Sequence, residues 1–267
     1  VSNPLLEPSD EATEVRSYFV RGRNALVTRA DFGSLFVDHY LHLAETGQRF
    51  EATADQLLKE SLAALVLHCA SRPWNEAFAW TLHFEAPLMN VFVSGDNNFG
   101  TVTGTVFEND IRETGRNLFY CDAVIGRQSP RRSVIDFEGT DALRAAEVFH
   151  RQSEQRTGRY FHHGEEDLVL ITAQPDCDEA WLEGLSDETV RTMDQTETLS
   201  LLEKRYYRWQ CGCSQERILQ LLAPEVAKDP TAIFEKEASV RVQCPRCGRR
   251  HLITREAVEA HLAGKAG

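Results

Sequence analysis

No apolar run in the chain approaches the ~18 residues that a membrane-spanning helix needs. The longest is Leu62–Leu67, so no membrane is expected as a partner. Basic residues are also scarce. Only 29 Lys and Arg stand against 41 Asp and Glu, a formal charge of -12, which argues against a nucleic-acid backbone as partner. The opening residues, Val1-Ser-Asn-Pro-Leu, have neither the basic end nor the apolar centre of a secretory signal. Nor is there a nucleophile with a recognisable base, a glycine-rich phosphate loop or a pair of catalytic carboxylates. The expectation is a cytoplasmic protein that is not an enzyme. An apolar share of 42% over 267 residues is enough for a sizeable core, as one large domain with a small one or as two medium ones.

Four of the seven cysteines fall in two tight pairs. Cys211-Gly-Cys213 is followed, after thirty residues, by Cys244-Pro-Arg-Cys247. Two such pairs complete the tetrahedral four-sulfur shell that zinc prefers, so one Zn2+ held by Cys211, Cys213, Cys244 and Cys247 is expected. The second pair reads as a zinc knuckle, with Gly248 where the chain bends tightly. The one-residue gap of the first pair is tighter than most structural sites use. It leaves two readings open, a structural clamp or a clamp meant to open.

Residues 1–12 read as a loose polar tail. A strand-like stretch from Val15 to Arg29 has a bend at Arg23 and Asn24. Helices are expected over Phe32–Glu45 and Ala52–Ser71, the latter with Leu57, Leu58, Leu62, Leu65, Val66 and Cys69 on one apolar face. Strands follow at Phe78–Phe84, Val91–Val93, Gly100–Phe107, Asn117–Ile125 and Ser133–Phe137, with a turn at Gly95–Asn98. Thr140 is the expected cap of a helix over Ala142–Gln155, and Asp167–Thr172 reads as a buried strand. Helices and strands do not alternate regularly. That favours an α+β fold, a mixed-sheet core with packed helices over 13–175.

From 176 to 200 the chain holds eight acids and one base over a thin apolar stripe, Leu182, Leu185, Val190, Met193 and Leu199. Ser186-Asp187-Glu188 is a helix start, and a second short helix is expected over Glu197–Arg205, with Lys204, Arg205 and Arg208 suiting its dipole. Residues 176–208 thus read as an acidic helical linker that melts easily. The zinc-binding module follows over 209–262. In it Ser214 caps a helix through Leu222 that Pro224 ends, Ser239–Gln243 leads into the knuckle, His251–Ile253 leads out, and Thr254 caps a last helix to Leu262. So small a module depends on its metal for folding.

Thiolates on zinc remain open to peroxide. Oxidation would pair Cys211 with Cys213 and Cys244 with Cys247, the metal would leave, and apolar surface on core and linker would be exposed. Here the sequence resembles the heat shock protein 33 family, in Cys211-Gly-Cys213-Ser214-Gln-Glu-Arg217 and Cys244-Pro-Arg-Cys247-Gly248 at the family's spacing. Upstream, Val20-Arg-Gly22, Pro87-Leu-Met-Asn90 with Gly95, Phe137-Glu-Gly139 and Arg151-Gln-Ser-Glu-Gln155 extend the likeness over 15–262. The resemblance implies a reduced, zinc-bound, inactive monomer. Oxidation releases zinc, unfolds linker and switch domain, and yields a homodimer that binds unfolding proteins without ATP. The sequence departs from the family at Arg156-Thr157-Gly158 and Gly164-Glu-Glu-Asp167, and its segment ahead of Cys211 is shorter.

Two rival readings use the same cysteines: a scaffold protein with a purely structural zinc module, and a thiol-disulfide oxidoreductase using Cys244 and Cys247. Cys69 and Cys121 read as packing groups, and Cys177 as an incidental thiol. His251 reads as an ordinary strand histidine, with a supporting role beside the zinc ligands or a place as a spare ligand as the alternative. His39 and His42 share a helical face without an evident acid, and His162-His163 reads as a solvated turn.

Overall fold

A computed structural model describes residues 12–229, 233–235 and 237–265; the expected tail of residues 1–12 lies, but for Ala12, outside the described residues. Strands β1 (Thr13–Val20) and β2 (Ala25–Asp31) form a hairpin that turns through Asn24 at φ 49. Helix α1 (Gly33–Thr46) ends at Gly47, whose φ of 65 suits a residue without a side chain. Helix α2 (Ala52–Ala70) then runs through the main core. From Ser61 to Ala70 every residue is buried, so α2 is enclosed on all sides rather than along one face.

Strands β3 (Glu76–Glu85), β4 (Leu88–Asp96), β5 (Thr101–Phe107), β6 (Asn117–Ile125) and β7 (Arg131–Phe137) form one half of a large sheet. The sheet approaches α2 closely where it carries glycine. A Cβ on Gly95 would lie 2.9 Å from Cys69 Sγ, and one on Gly104 2.9 Å from Leu58 Cδ1. Cys69 is thus the packing group expected of it. Helix α3 (Ala142–Gln152) is capped by Asp141, which accepts from the Arg144 amide, and not by Thr140. Strand β8 (Gly158–His162), which the sequence reading missed, pairs with β9 (Asp167–Ala173).

Short helices α4 (Glu179–Glu183), α5 (Asp187–Arg191) and α6 (Met193–Thr196) follow, α5 opened by Ser186 in a capping box as expected. The helix expected over 197–205 is instead strand β10 (Leu199–Trp209). It pairs with β1 along its length, from Leu199↔Val20 to Tyr207↔Thr13, and Tyr and Trp suit that pleated setting. Arg205 caps no helix. It is buried, donates to the carbonyls of Cys69 and Arg72, and lies 4.2 Å from the Trp74 ring. The helical character expected of 176–208 therefore ends at Thr196.

The ten strands run in the order β7-β6-β3-β4-β5-β10-β1-β2-β9-β8. This mixed sheet with packed helices is the α+β class expected. Its main core gathers α2, α3 and one sheet face around Trp80, Phe119 and Phe149. A second core lies under the short helices, where Val20, Val27, Phe161, Val169 and Ile171 meet Leu182, Val190 and Met193.

The chain divides between Gln210 and Cys211. The smaller unit holds α7 (Gln215–Lys228), the hairpin β11 (Ser239–Gln243) with β12 (Arg250–Thr254), and α8 (Arg255–Lys265). Ser214 caps α7 and Thr254 caps α8 as expected, but α7 runs through Pro224 instead of stopping there. Proline sacrifices one hydrogen bond of the helix. Beyond it, Val226 still packs with Ile218, Phe234, Ile253 and Val258, which holds the last turn.

Candidate metal centre

Each cysteine pair is set by a short piece of backbone. Gly212, between the first two, has a φ of 60, and its carbonyl accepts from Arg217 Nη1 at 2.8 Å. The turn therefore closes onto the first turn of α7. The second pair sits at the tip of the β11–β12 hairpin. Cys244 N donates to Arg249 O at 2.8 Å and Gly248 N to Cys244 O at 2.9 Å, with Gly248 at φ 72. This is the tight knuckle that the Cys-x-x-Cys-Gly sequence predicts.

The two pairs converge. Cys211 Sγ lies 3.6 Å from Cys244 Sγ, Cys213 Sγ lies 3.6 Å from Cys247 Sγ, and all four sulfurs lie within 4.8 Å of one another. Sulfurs at ~2.3 Å from a tetrahedral ion stand about 3.8 Å apart. The cluster fits a four-thiolate metal site, and among the described residues no other group of His, Cys, Asp and Glu converges in this way. Cys244 and Cys247 are buried, Cys211 and Cys213 half-buried.

Four sulfurs so close cannot all ionise without a cation among them. Hydrogen bonds from the Cys211 and Cys247 thiols, helped by the Arg246 and Cys247 amides, hold Cys244 well below the usual thiol range. Cys247 is pushed up by its Cys211 and Cys244 neighbours, and burial pushes Cys213 up to about 11. A divalent cation would reverse this and ionise the remaining thiols.

His251 is no ordinary strand histidine. Its Nε2 stands 3.4 Å from Cys213 Sγ, so the alternative role beside the metal ligands is the one its position fits. Its place four residues after Cys247 was the available signal.

The other candidates lie elsewhere. Cys69 and Cys121 are buried, and burial lifts both thiols, that of Cys121 to about 12. Cys177 packs at the rim of the second core. His39 does face an acid: Asp55 Oδ1 on α2 lies 3.6 Å from its Nε2. The Trp209 ring lies 4.8 Å from His39 and 5.4 Å from His42, so these histidines form an aromatic packing cluster. His162 ends β8, and His163 is half-buried against Arg29 and Asp167. Neither is a solvated turn.

The sequence reading also missed what fastens α4–α6 to the sheet. Arg159 Nη1 donates to the carbonyls of Leu182, Glu183 and Leu185 at 2.9–3.0 Å. Arg23 pairs with Asp178 at 2.7 Å and Glu197 at 3.0 Å. The Asp187 carboxylate accepts from the His162 amide. Beside these helices a cleft of about 750 Å³, lined by Tyr18, Val27, Arg29, Val190 and Met193 among others, shows that they cover the sheet incompletely.

Comparison with known proteins agrees with the resemblance. Residues 163–254 match the model of the family described as Hsp33 protein. The chain is 20% identical to the 33 kDa chaperonin of Nitrosococcus oceani, over 79% of this chain and 82% of that one. It is 22% identical to the 33 kDa chaperonin of Vibrio cholerae, over 76% of this chain and 81% of that one. The fold is that of the crystal structure of the 33 kDa chaperonin (heat shock protein 33 homolog) of Thermotoga maritima. The TM-score is 0.72 at 12% identity, covering 95% of this chain and 99% of that one. The chain is similar to the heat shock protein 33 family in sequence and in fold.

Proposed function

We propose that this protein is an ATP-independent chaperone that holds unfolding proteins and is switched on by oxidation of Cys211, Cys213, Cys244 and Cys247. The observation that carries this is the convergence of four thiols, all within 4.8 Å, in a unit whose own core is a handful of side chains. The chain's likeness to proteins named 33 kDa chaperonin supports it.

When bound, zinc supplies the cross-link that so small a unit needs to fold. Cys211, Cys213, Cys244 and Cys247 would hold it. In each pair, two thiols give two electrons and two protons to one peroxide, which becomes two waters, and one disulfide forms. The pairs are Cys211–Cys213 and Cys244–Cys247, because closing loops of one and two intervening residues loses far less chain entropy than closing one of thirty. The ligands are then spent and residues 211–262 lose their fold.

The surface offered to clients is the sheet face beneath α4–α6. These helices are five, five and four residues long, too short to persist alone. Their polar fastenings lie at half-exposed rims, where ion pairs contribute little. Released, they uncover Val20, Val27, Phe161, Val169 and Ile171, an apolar patch suited to unfolded chains and to a second copy of the protein. In this reading residues 13–175 with β10 form the chaperone core, 176–198 the releasable part of the linker, and 211–262 the switch. The oxidised form is a homodimer. A thiolate centre that waits for an oxidant suits the reducing cytoplasm.

The test is zinc release to a chromogenic chelator before and after peroxide at mild heat, with disulfide mapping and suppression of thermal aggregation of an unrelated protein on the same samples. Release, the two short-range disulfides and suppression only after oxidation support the proposal. Release without suppression sinks the chaperone. Zinc that stays bound under peroxide makes the site structural and the protein a scaffold.

A further inference from the structure

Two of the four sulfurs are alike in exposure and differ in their surroundings. Cys211 and Cys213 are both half-buried in the same three-residue turn. The β11–β12 register sets His251 opposite Val242, one step inside the knuckle, and its imidazole Nε2 reaches Cys213 Sγ at 3.4 Å. Cys211 is instead hydrogen-bonded through its sulfur to other cysteines, with Cys244 Sγ at 3.6 Å.

A metal-bound or ionised sulfur can only accept a hydrogen bond. With zinc on Cys213, the Nε2 that faces it would carry the ring proton and donate it. A donated N–H draws charge from the sulfur and makes it a poorer nucleophile, while fixing its direction. Groups in this position commonly change metal affinity or activity by ~10–100-fold when removed.

We infer that His251 is a positioning residue that makes the two thiolates of the first pair unequal, shielding Cys213 and leaving Cys211 as the sulfur of that pair that electrophiles and oxidants attack first. This rests on the oxidative reading of the centre. In chemical terms, the Cys211 sulfur attacks one oxygen of peroxide, the O–O bond breaks, hydroxide leaves, and Cys211 becomes a sulfenic acid. The Cys213 sulfur then attacks Cys211, the S–O bond breaks, and the departing hydroxide takes a proton to become water. His251 engages the Cys213 sulfur that makes this attack, so it also slows this second step.

The experiment uses the full-length, zinc-loaded protein as wild type, His251→Phe, which keeps a ring without the donor, and His251→Gln, which keeps an N–H. Limiting N-ethylmaleimide followed by peptide mass mapping reads the relative labelling of Cys211 and Cys213. Stopped-flow release of zinc to a chelator under peroxide reads the rate. The wild type is expected to label Cys211 several-fold faster than Cys213. In His251→Phe the preference disappears and release quickens on the order of 10-fold, while His251→Gln stays near wild type. Equal labelling in the wild type overturns the inference. So does a Phe variant that behaves as wild type, or a Gln variant that behaves as Phe, which would make the effect one of ring packing. Should His251→Phe fail to load zinc, the wild-type labelling ratio and the Gln variant still decide. If peroxide releases no zinc from the wild type, the switch itself fails, and the maleimide labelling still tests His251 separately.

Discussion

The Tyr207 hydroxyl donates a 2.8 Å hydrogen bond to Asn97 Oδ1, and both side chains are buried. Asn97 Nδ2 in turn donates to the carbonyls of Cys69 and Pro73, each at 2.8 Å. The end of β10 is thus tied to the end of α2 only four residues before Cys211. Unfolding that starts at the cysteines should leave this tie, and with it β10, in place even where α4–α6 are released. Hydrogen exchange on the oxidised protein is expected to show residues 203–209 still protected while 211–262 exchange freely. Tyr207→Phe, which leaves Asn97 Oδ1 buried without its partner, should cost about 1–3 kcal/mol in urea unfolding. Exchange of β10 together with the cysteine unit would contradict this account.

Zinc removal should unfold the cysteine unit and leave the ten-stranded sheet intact. Treating the reduced protein with a strong chelator is expected to abolish the order of α7, α8 and the β11–β12 hairpin, since structural zinc contributes on the order of 10 kcal/mol to folding in such modules. All four tryptophans precede Cys211, and Trp181 lies on α4, so any change in tryptophan fluorescence should come from release of the short helices and leave the signals of Trp74 and Trp80 in place. A chelated protein with unchanged circular dichroism would mean that the unit folds without metal.

Val190 is buried on the underside of α5 against the sheet. Val190→Asp places a charge there and should weaken the seat of the helix by about 2–4 kcal/mol. The reduced, zinc-loaded variant is then expected to suppress thermal aggregation without any oxidant. A variant that is soluble, folded and still inactive until oxidised would place the client surface elsewhere.

Acid should destabilise the main core well before its carboxylates matter. Burial holds His150 down to about 3, reinforced by Arg156 and Arg72, and burial holds His39 down to about 4 against the pull of Asp55. His68, enclosed beside His150, is lowered as well. These rings stay neutral in the folded chain and take up protons near 6.5 once unfolded. Their contribution is therefore complete above pH ~6.5 and is lost as pH falls toward 4, by up to about 1.4 kcal/mol per pH unit for each histidine. Urea midpoints measured from pH 7 to 4.5 should fall accordingly, and His150→Leu should flatten the slope by one proton's worth. A midpoint independent of pH over that range would show that these histidines are hydrated or paired.

The features readable from the sequence are those whose causes are local. The cysteine pairs carry their chemistry in their spacing, Ser186 and Ser214 announce helices through the residues just after them, and strands such as Asn117–Ile125 repeat with the pleat. Distance along the chain hid the rest. Lys204 and Arg205 look like the basic end of a helix until their partners are known. Those are Glu14 for Lys204 and the Arg72 carbonyl for Arg205, respectively 190 and 133 residues away. Arg23 and Arg159 gave no local sign that they fasten α4–α6. Pro224 follows the local rule for ending a helix, and the packing of Val226 and its neighbours overrides it.

The place of β10 in the sheet bears on how the protein is made. Five strands, β7-β6-β3-β4-β5, lie on one side of it and four, β1-β2-β9-β8, on the other. It meets β5 in parallel through Arg208 and Trp209 alone and β1 antiparallel through most of its length. A growing chain can assemble both halves, yet the seam between them stays open until synthesis has passed residue 209. The last strand of this sheet to arrive pairs with β1, about 180 residues earlier, the kind of long-range closure that is slow for a folding chain. The cysteines follow directly behind it, so a nascent chain cannot acquire its metal centre before the residues that join its two half-sheets have been made.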